Sequence, residues 1–206
     1  MGPEHILATY DSVAARFGKE RSKTLFERPW LDKFLAHVRP PRRILDLGCG
    51  TGNPIARYLV DRRATVTGVD GSAAMIALFQ DIVPGATAIH HDMRFLNLGQ
   101  RFDGILAWNS FFHLSQKDQR AMFPVFANHA APGAALMFTA GPSAGEVMGT
   151  AGGQPVYHSS LDPDDYRTLL AENGFDFSMG LLAYEAREFR GSVDYIGYVR
   201  RQCRGG

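Results

Sequence analysis

Nine consecutive residues, Ile44–Leu45–Asp46–Leu47–Gly48–Cys49–Gly50–Thr51–Gly52, carry most of the chemical information in this chain. An apolar run suited to a buried parallel strand gives way to glycines at 48, 50 and 52, and Pro54 follows near the start of a helical stretch. Glycine lets a backbone approach a ligand closely and adopt positive φ. The helix N-terminus behind such a loop offers unpaired N–H groups and the positive end of a dipole. In open parallel sheets, ligands bind at the carboxyl ends of strands, where the chain order reverses. Asp70 closes a second strand 18 positions after Gly52, where its carboxylate can accept both hydroxyls of a ribose. These features together point to a nucleoside-containing cofactor. A dinucleotide fold wants G-x-G-x-x-G, with its third glycine at position 53; Asn53 stands there, which disfavours a nicotinamide-dependent oxidoreductase.

Other residues admit two readings each. Cys49 is either a small packing residue of the loop or a reactive thiol, and nothing near it in sequence would lower its pKa. Asn109–Ser110–Phe111–Phe112–His113 follows the fourth strand, and His113 is either a general base at a pocket mouth or a packed, hydrogen-bonded imidazole. Tyr157 and His158 leave a Gly-rich segment and either line an acceptor pocket or are ordinary loop residues. His90 and His91 are neighbours on a strand and point to opposite faces, so no metal site is expected.

The glycine spacing, G-x-G-x-G preceded by Asp46, resembles the first motif of the class I S-adenosylmethionine-dependent methyltransferases. Val69–Asp70–Gly71–Ser72 resembles the second, His91–Asp92–Met93 is similar to the adenine site, and 101–108 resembles the fourth strand. The resemblance implies a Rossmann-like α/β fold. Its mixed sheet has seven strands, the last antiparallel, with helices on both faces and a small N-terminal helical cap. It implies cofactor contacts from Tyr10, Asp46, Gly48, Cys49, Gly50, Asn53, Asp70, Gly71, Met75, Asp92, Met93, Ala107 and Trp108. Met75 and Tyr10 could equally be core, and Trp108 is either a pocket wall or core. The implied reaction is in-line displacement at the sulfonium methyl of S-adenosyl-L-methionine, leaving S-adenosyl-L-homocysteine and needing no metal. A dedicated base is required only if the nucleophile arrives protonated, so His113, Tyr157 and His158 are the weak catalytic candidates. Enzymes that methylate exocyclic amines of bases often carry an Asn/Asp-Pro-Pro-aromatic motif after the fourth strand, and this chain has no prolines there. A small-molecule O, N or S nucleophile is the favoured acceptor. The alternatives are a non-catalytic S-adenosylmethionine-binding sensor or partner protein, or a methyltransferase acting on nucleic acid or protein.

The elements that must hold these residues alternate between strand and helix. Ile6, Tyr10, Val13 and Phe17 lie on one helical face, with Gly18 as a stop; Trp30, Leu31, Phe34, Leu35 and Val38 form a second stripe. Strands are expected at 44–47, 65–69, 87–89, 102–108, 135–139, 178–184 and 193–199. Helices are expected at 54–61, at 73–81 with Ser72 as N-cap, at 115–129 with a kink at Pro124, and from Asp162 to Gly174. The chain reads as one domain over 1–206, with a helical cap at 1–40 and a Gly-rich loop at 141–160 on the acceptor side.

Composition narrows the classes further. In 206 residues, 22 Lys and Arg nearly balance 21 Asp and Glu, for a net charge of +1. That gives no basic surplus for neutralising phosphates, so a nucleic-acid partner is disfavoured. Cys49 and Cys203 cannot form a disulfide framework, and no stretch is apolar enough to span a membrane or direct secretion. A cytoplasmic monomer or homodimer is expected.

Overall fold

The computed structural model describes residues 2–176, 187–189 and 192–201. Helices α1 (Ile6–Glu20) and α2 (Arg28–His37) lead into the alternating part: β1 (Arg43–Leu47), α3 (Ile55–Asp61), β2 (Thr65–Asp70), α4 (Ala73–Ile82), β3 (Thr87–His90) and β4 (Phe102–Ala107). There follow α5 (Gln116–His129), β5 (Ala130–Ala140), β6 (Gly145–Ala151), β7 (Gln154–Ser160) and α6 (Pro163–Glu172), then β8 (Phe175–Asp176), β9 (Arg187–Phe189) and β10 (Ser192–Arg201). The first five strands form a parallel sheet in the order β3-β2-β1-β4-β5. The chain order therefore reverses between β1 and β4, which opens a crevice at their carboxyl ends. Beyond β5, β10 pairs antiparallel with it, and β8 and β9 both pair with β10. Among the described residues that makes eight hydrogen-bonded strands, so the expected count of seven is not confirmed. The strand expected at 178–184 lies outside the described residues, apart from which the strand positions agree to within a few residues; β5 begins earlier, at Ala130.

Period-two alternation assigns the sheet's side chains to two cores. Leu45 and Leu47 of β1, Ile105 of β4, and Leu136 and Phe138 of β5 pack with Phe123 and Phe126 of α5 and Tyr166 of α6. Ile44, Leu106, Ala135 and Met137 face the other way, onto Leu31 and Phe34 of α2, Leu59 of α3 and Phe79 of α4. Only α1 of the N-terminal pair lies at the strand ends; α2 is a packing layer of the sheet, so the 1–40 segment divides between cap and core. Gly18 does not stop α1, which continues to Glu20. Its Cα instead approaches the glycine loop: a Cβ there would sit 3.4 Å from Thr51 Cγ2. Asp11 fastens α1 to the start of α4, accepting from Ser72 Oγ at 2.7 Å and the Ala74 N–H at 3.0 Å. The expected caps are present, with Ser72, Ser115 and Asp162 accepting from the N–H groups of Met75, Asp118 and Asp164.

The stretch 141–160 is a hairpin rather than a loop. β6 and β7 pair antiparallel from Gly145↔Ser160 to Ala151↔Gln154, and the turn between them is Gly152–Gly153, both at positive φ. Two consecutive positive-φ residues make the tight turn whose twist matches a hairpin, and glycine adopts it without strain. Of the glycines that suggested a long loop, Gly152 and Gly153 are the turn of a hairpin, while Gly145 and Gly149 lie within β6. Its base is held by a buried polar network: the Gln119 amide donates to Leu114 O and Ser159 O and accepts from Tyr166 Oη at 2.6 Å, while the Leu161 N–H donates to Tyr166 Oη. Replacing Gln119 by Leu orphans several buried groups together, and is expected to lower unfolding free energy by about 1–3 kcal/mol in urea denaturation.

Candidate functional site

The loops after β1, β2 and β4 converge at the crevice. Gly48 and Cys49 both donate their backbone N–H groups to Val69 O, at 2.7 and 3.1 Å, which sews the first loop to β2. Gly48 (φ 69°) leaves no room for a side chain, since a Cβ would lie 2.2 Å from Ser110 Cβ. Gly52 (φ 74°) is equally confined, by Phe79 at 2.6 Å, whereas Gly50 (φ 55°) has nothing within 4 Å of such a Cβ. Asp70 is the common anchor: one carboxylate oxygen accepts from the Gly50 N–H and the other from the Ser72 N–H, both at 2.9 Å.

Two clefts open from this centre. One is lined by Phe17, Arg21, Asp46, Cys49, Thr51, Gly52, Asn53, Ile55 and Trp108. The other is lined by Pro3, Ile6, Leu7, Tyr10, Asp70, Gly71, Asp92, Met93, Arg94, Ser110, His113 and Leu114. Gly48 and Asn109 belong to both walls, so the clefts meet there. Asn109 is held at φ 50°, a conformation uncommon for a residue other than glycine, with its N–H on Thr139 Oγ1 at 2.8 Å.

The structure therefore brings Tyr10, Asp46, Gly48, Cys49, Asn53, Asp70, Gly71, Asp92, Met93 and Trp108 to the cleft walls. Gly50 contributes its backbone to Asp70 instead. Met75 and Ala107, 1% and 0% exposed, lie in the core and line neither cleft. Among the three catalytic candidates only His113 is on a wall. Tyr157 is buried against Ile6 and Val156, and its carbonyl faces His113, while the His158 ring lies 4.8 Å from that of His113 and 4.5 Å from Phe112. Arg21 is the residue that motif reading missed. It follows Tyr10 by eleven positions, close to three helical turns, and Phe17 by four, so the helical period alone would have placed it on the same face.

Charge in the crevice is acidic and only partly balanced. Burial, then the neighbouring Asp70 charge, pushes the Asp46 carboxyl up to about 7 against the opposing pull of Arg21. Burial also raises Asp70, opposed by its two backbone N–H donors. The Cys49 thiol is pushed well above its ordinary value by burial and by both carboxylates, which argues for the packing role over a reactive one. Asp92 differs: burial raises it, but the Arg94 guanidinium and N–H outweigh that and hold it below the usual carboxylate range. Among the described residues no cluster of His, Cys, Asp and Glu is arranged to hold a metal ion.

His113 and Tyr10 form a defined pair. The carbonyl of Tyr157, 2.8 Å from Nδ1, can only accept, so Nδ1 carries the proton. Nε2 then accepts from the Tyr10 hydroxyl at 2.8 Å. Burial, with His158 adding to it, pushes His113 down to about 3 from 6.5. The imidazole is thus neutral, its lone pair is taken by Tyr10, and the Tyr10 oxygen is what the pair presents to the cleft. Imidazole 15N spectra should show one neutral Nδ1–H form of His113 from pH 5 to 8. Because the unfolded chain takes up this proton at the ordinary value, the group favours unfolding as pH falls from 6.5 towards 3.

Comparison with known proteins agrees with this geometry. Residues 44–133 match the methyltransferase domain family. The chain is 33% identical over 129 residues to dTDP-3-amino-3,6-dideoxy-alpha-D-glucopyranose N,N-dimethyltransferase of Streptomyces fradiae, covering 62% of this chain and 49% of that protein. It is 37% identical over 118 residues to trans-aconitate 2-methyltransferase of Escherichia coli, covering 55% and 43%. It thus spans about half the length, or less, of these curated relatives. In fold it resembles magnesium protoporphyrin IX methyltransferase from Synechocystis PCC 6803, solved with bound S-adenosylmethionine, with a TM-score of 0.74, 17% identity and 97% of each chain covered. The stretch that matches the methyltransferase domain family, residues 44–133, contains the glycine loop between β1 and α3 and the acid closing β2, so the similarity falls on the residues that form the clefts.

Proposed function

We propose that this chain transfers a methyl group from S-adenosylmethionine to a small-molecule O, N or S nucleophile, within one domain spanning its length. The observation that carries the reading is the pair of clefts meeting at Gly48 and Asn109, with Asp46 and Arg21 in one and Asp70 in the other. That donor set fits the cofactor. Asp46 and Arg21 offer a carboxylate for an ammonium and a guanidinium for a carboxylate, as an amino-acid end requires. Asp70, its two oxygens fixed by backbone N–H groups, keeps lone pairs for ribose hydroxyls. Asp92 and Met93 stand at the adenine end, with Arg94 sharing the Asp92 carboxylate. When bound, S-adenosylmethionine would supply an activated methyl on a sulfonium: the acceptor's lone pair would bond to that carbon as its bond to sulfur breaks in line, with S-adenosylhomocysteine as the leaving group.

The chain's own contribution is alignment, exclusion of water and handling of any proton. α1 and the β6–β7 hairpin cover the crevice with Phe17, Tyr10 and Ile6 against Val156 and Tyr157. A protonated acceptor would meet the Tyr10 oxygen, with His113 Nε2 behind it. The small-molecule activities in the names of the two curated relatives, on a sugar amine and on aconitate, support the acceptor class. A cytoplasmic location belongs to the same proposal; no helix of the described residues is long and apolar enough to cross a membrane.

Calorimetry tests the reading. S-adenosylmethionine and S-adenosylhomocysteine are expected to bind with roughly micromolar Kd, and NADH not at all. Asp70→Ala is expected to weaken both by at least about tenfold, corresponding to about 1.4 kcal/mol. Normal binding by that variant would overturn the ribose assignment. The Asp46 carboxyl, at about 7 in the free protein, must be ionised to meet an ammonium, so binding expels a proton. Affinity is therefore expected to fall as pH drops from 7 to 5.5, by up to about tenfold per unit. Titrations in two buffers of different ionisation heat measure the released proton directly.

A further inference from the structure

Glu27 is a buried acid that the proposed reaction does not use. It stands at the N-cap of α2 and is 0% exposed, yet its side chain caps nothing there. Oε1 accepts from Arg21 Nη2 at 3.0 Å, while Oε2 is buried without a hydrogen-bond partner. A carboxylate taken out of water is costly unless it is paired, and its pairing is normally completed on both oxygens. Arg21 is placed just as unusually. It is the C-cap residue of α1, where a long cation ordinarily extends into water, but its side chain is 19% exposed and lines the Asp46 cleft. A guanidinium has five N–H donors in a rigid planar fork, so one held edge fixes where the others stand; an ammonium on a flexible stem has no such property.

We propose that Glu27 is a positioning residue for cofactor binding: it fixes the Arg21 guanidinium in the cleft wall so that the remaining donors receive the carboxylate of the cofactor's amino-acid end. The inference rests on the reading that S-adenosylmethionine occupies the clefts. It accounts for a full negative charge being buried at a helix start where a neutral cap would serve. It also accounts for the single Nη2–Oε1 bond, which holds one end of the guanidinium inside the protein and leaves its other N–H donors for a ligand. The linkage joins the end of α1 to the start of α2, so the covering helix and the ligand's charged end share one contact.

The test compares S-adenosylmethionine with 5′-deoxy-5′-methylthioadenosine, which keeps the nucleoside and sulfur but has no amino-acid end. Calorimetric Kd values for wild type, Glu27→Gln, Arg21→Gln and the double variant decide it. Glu27→Gln is expected to raise Kd for S-adenosylmethionine about tenfold and for methylthioadenosine less than about twofold. Arg21→Gln is expected to show the same split, and the double variant to bind no more weakly than Arg21→Gln alone, because both changes remove one interaction. Retained methylthioadenosine binding reports that the fold is intact. Glu27→Asp keeps the charge and withdraws it by one methylene; it is expected to give a smaller loss with the same selectivity, and it serves if the Gln variant does not fold. Equal weakening of both ligands, or no weakening of either, would overturn the assignment of Glu27 and leave the cofactor reading standing. Wild-type protein that binds neither ligand would overturn the cofactor reading, and this inference with it.

Discussion

The close approach of Gly48 to Ser110 is the contact on which the rest of the site depends. Gly48 must sit at positive φ with no side chain, because Ser110 Cβ occupies the space a Cβ would need, and the Ser110 hydroxyl donates to Leu47 O at 2.6 Å. This brings the ends of β1 and β4 together at the point where strand order reverses. Both clefts share Gly48 for that reason, and any larger residue would part them from the strand ends. Asp70 adds the second constraint. By accepting from both Gly50 and Ser72, it converts two loops into one rigid rim and spends backbone donors that would otherwise be left in a half-buried crevice.

That rim is electrostatically unfinished. Two carboxylates, Asp46 and Asp70, lie within each other's influence, and Arg21 is the opposing charge acting on Asp46. With both carboxylates ionised their mutual repulsion is relieved by a bound cation, which is the charge the proposed cofactor would bring. Burial and the same acidity together hold the Cys49 thiol protonated, because a thiolate there would add a further negative charge to the same desolvated volume. Arg94 plays the opposite part at the far end, where it lowers Asp92 and ties it to Asp118 through a 3.3 Å contact.

The glycine loop, Asp70, and the caps at Ser72, Ser115 and Asp162 were legible in the sequence because each is a local rule: a backbone conformation or an unpaired N–H demands a particular residue type. The hairpin at 141–160 was not, because counting glycines registers flexibility, whereas the decisive feature is that two adjacent ones, Gly152 and Gly153, sit between segments able to pair. Position in a motif left Met75 open between cofactor and core and put Ala107 at the cofactor, but which way a side chain turns is settled by packing, and both side chains are buried. Arg21 and Glu27 were missed for the complementary reason. Their meaning is tertiary: neither belongs to a motif, and an acid six residues after a base is unremarkable until the acid is found buried, and the base half-buried against it, at the meeting of two helices.

The covering layer then determines how the site can handle protons. α1 is fastened at three places along its length, by Tyr10 to His113, by Asp11 to the start of α4, and by Arg21 to Glu27. The first and last of these use groups that also line the clefts, so α1 cannot lift without exposing Tyr10 and Arg21 to water and releasing the His113 lone pair. Closed, the His113–Tyr10 pair is neutral and fully hydrogen-bonded on the imidazole side. A neutral pair of this kind orients an acceptor and passes on a proton that is already weakly held, but it does not strip one from a strongly basic group. Under the proposed methyl transfer, the acceptor suited to such a neutral pair is one whose nucleophile reaches the cleft already deprotonated, or loses its proton readily.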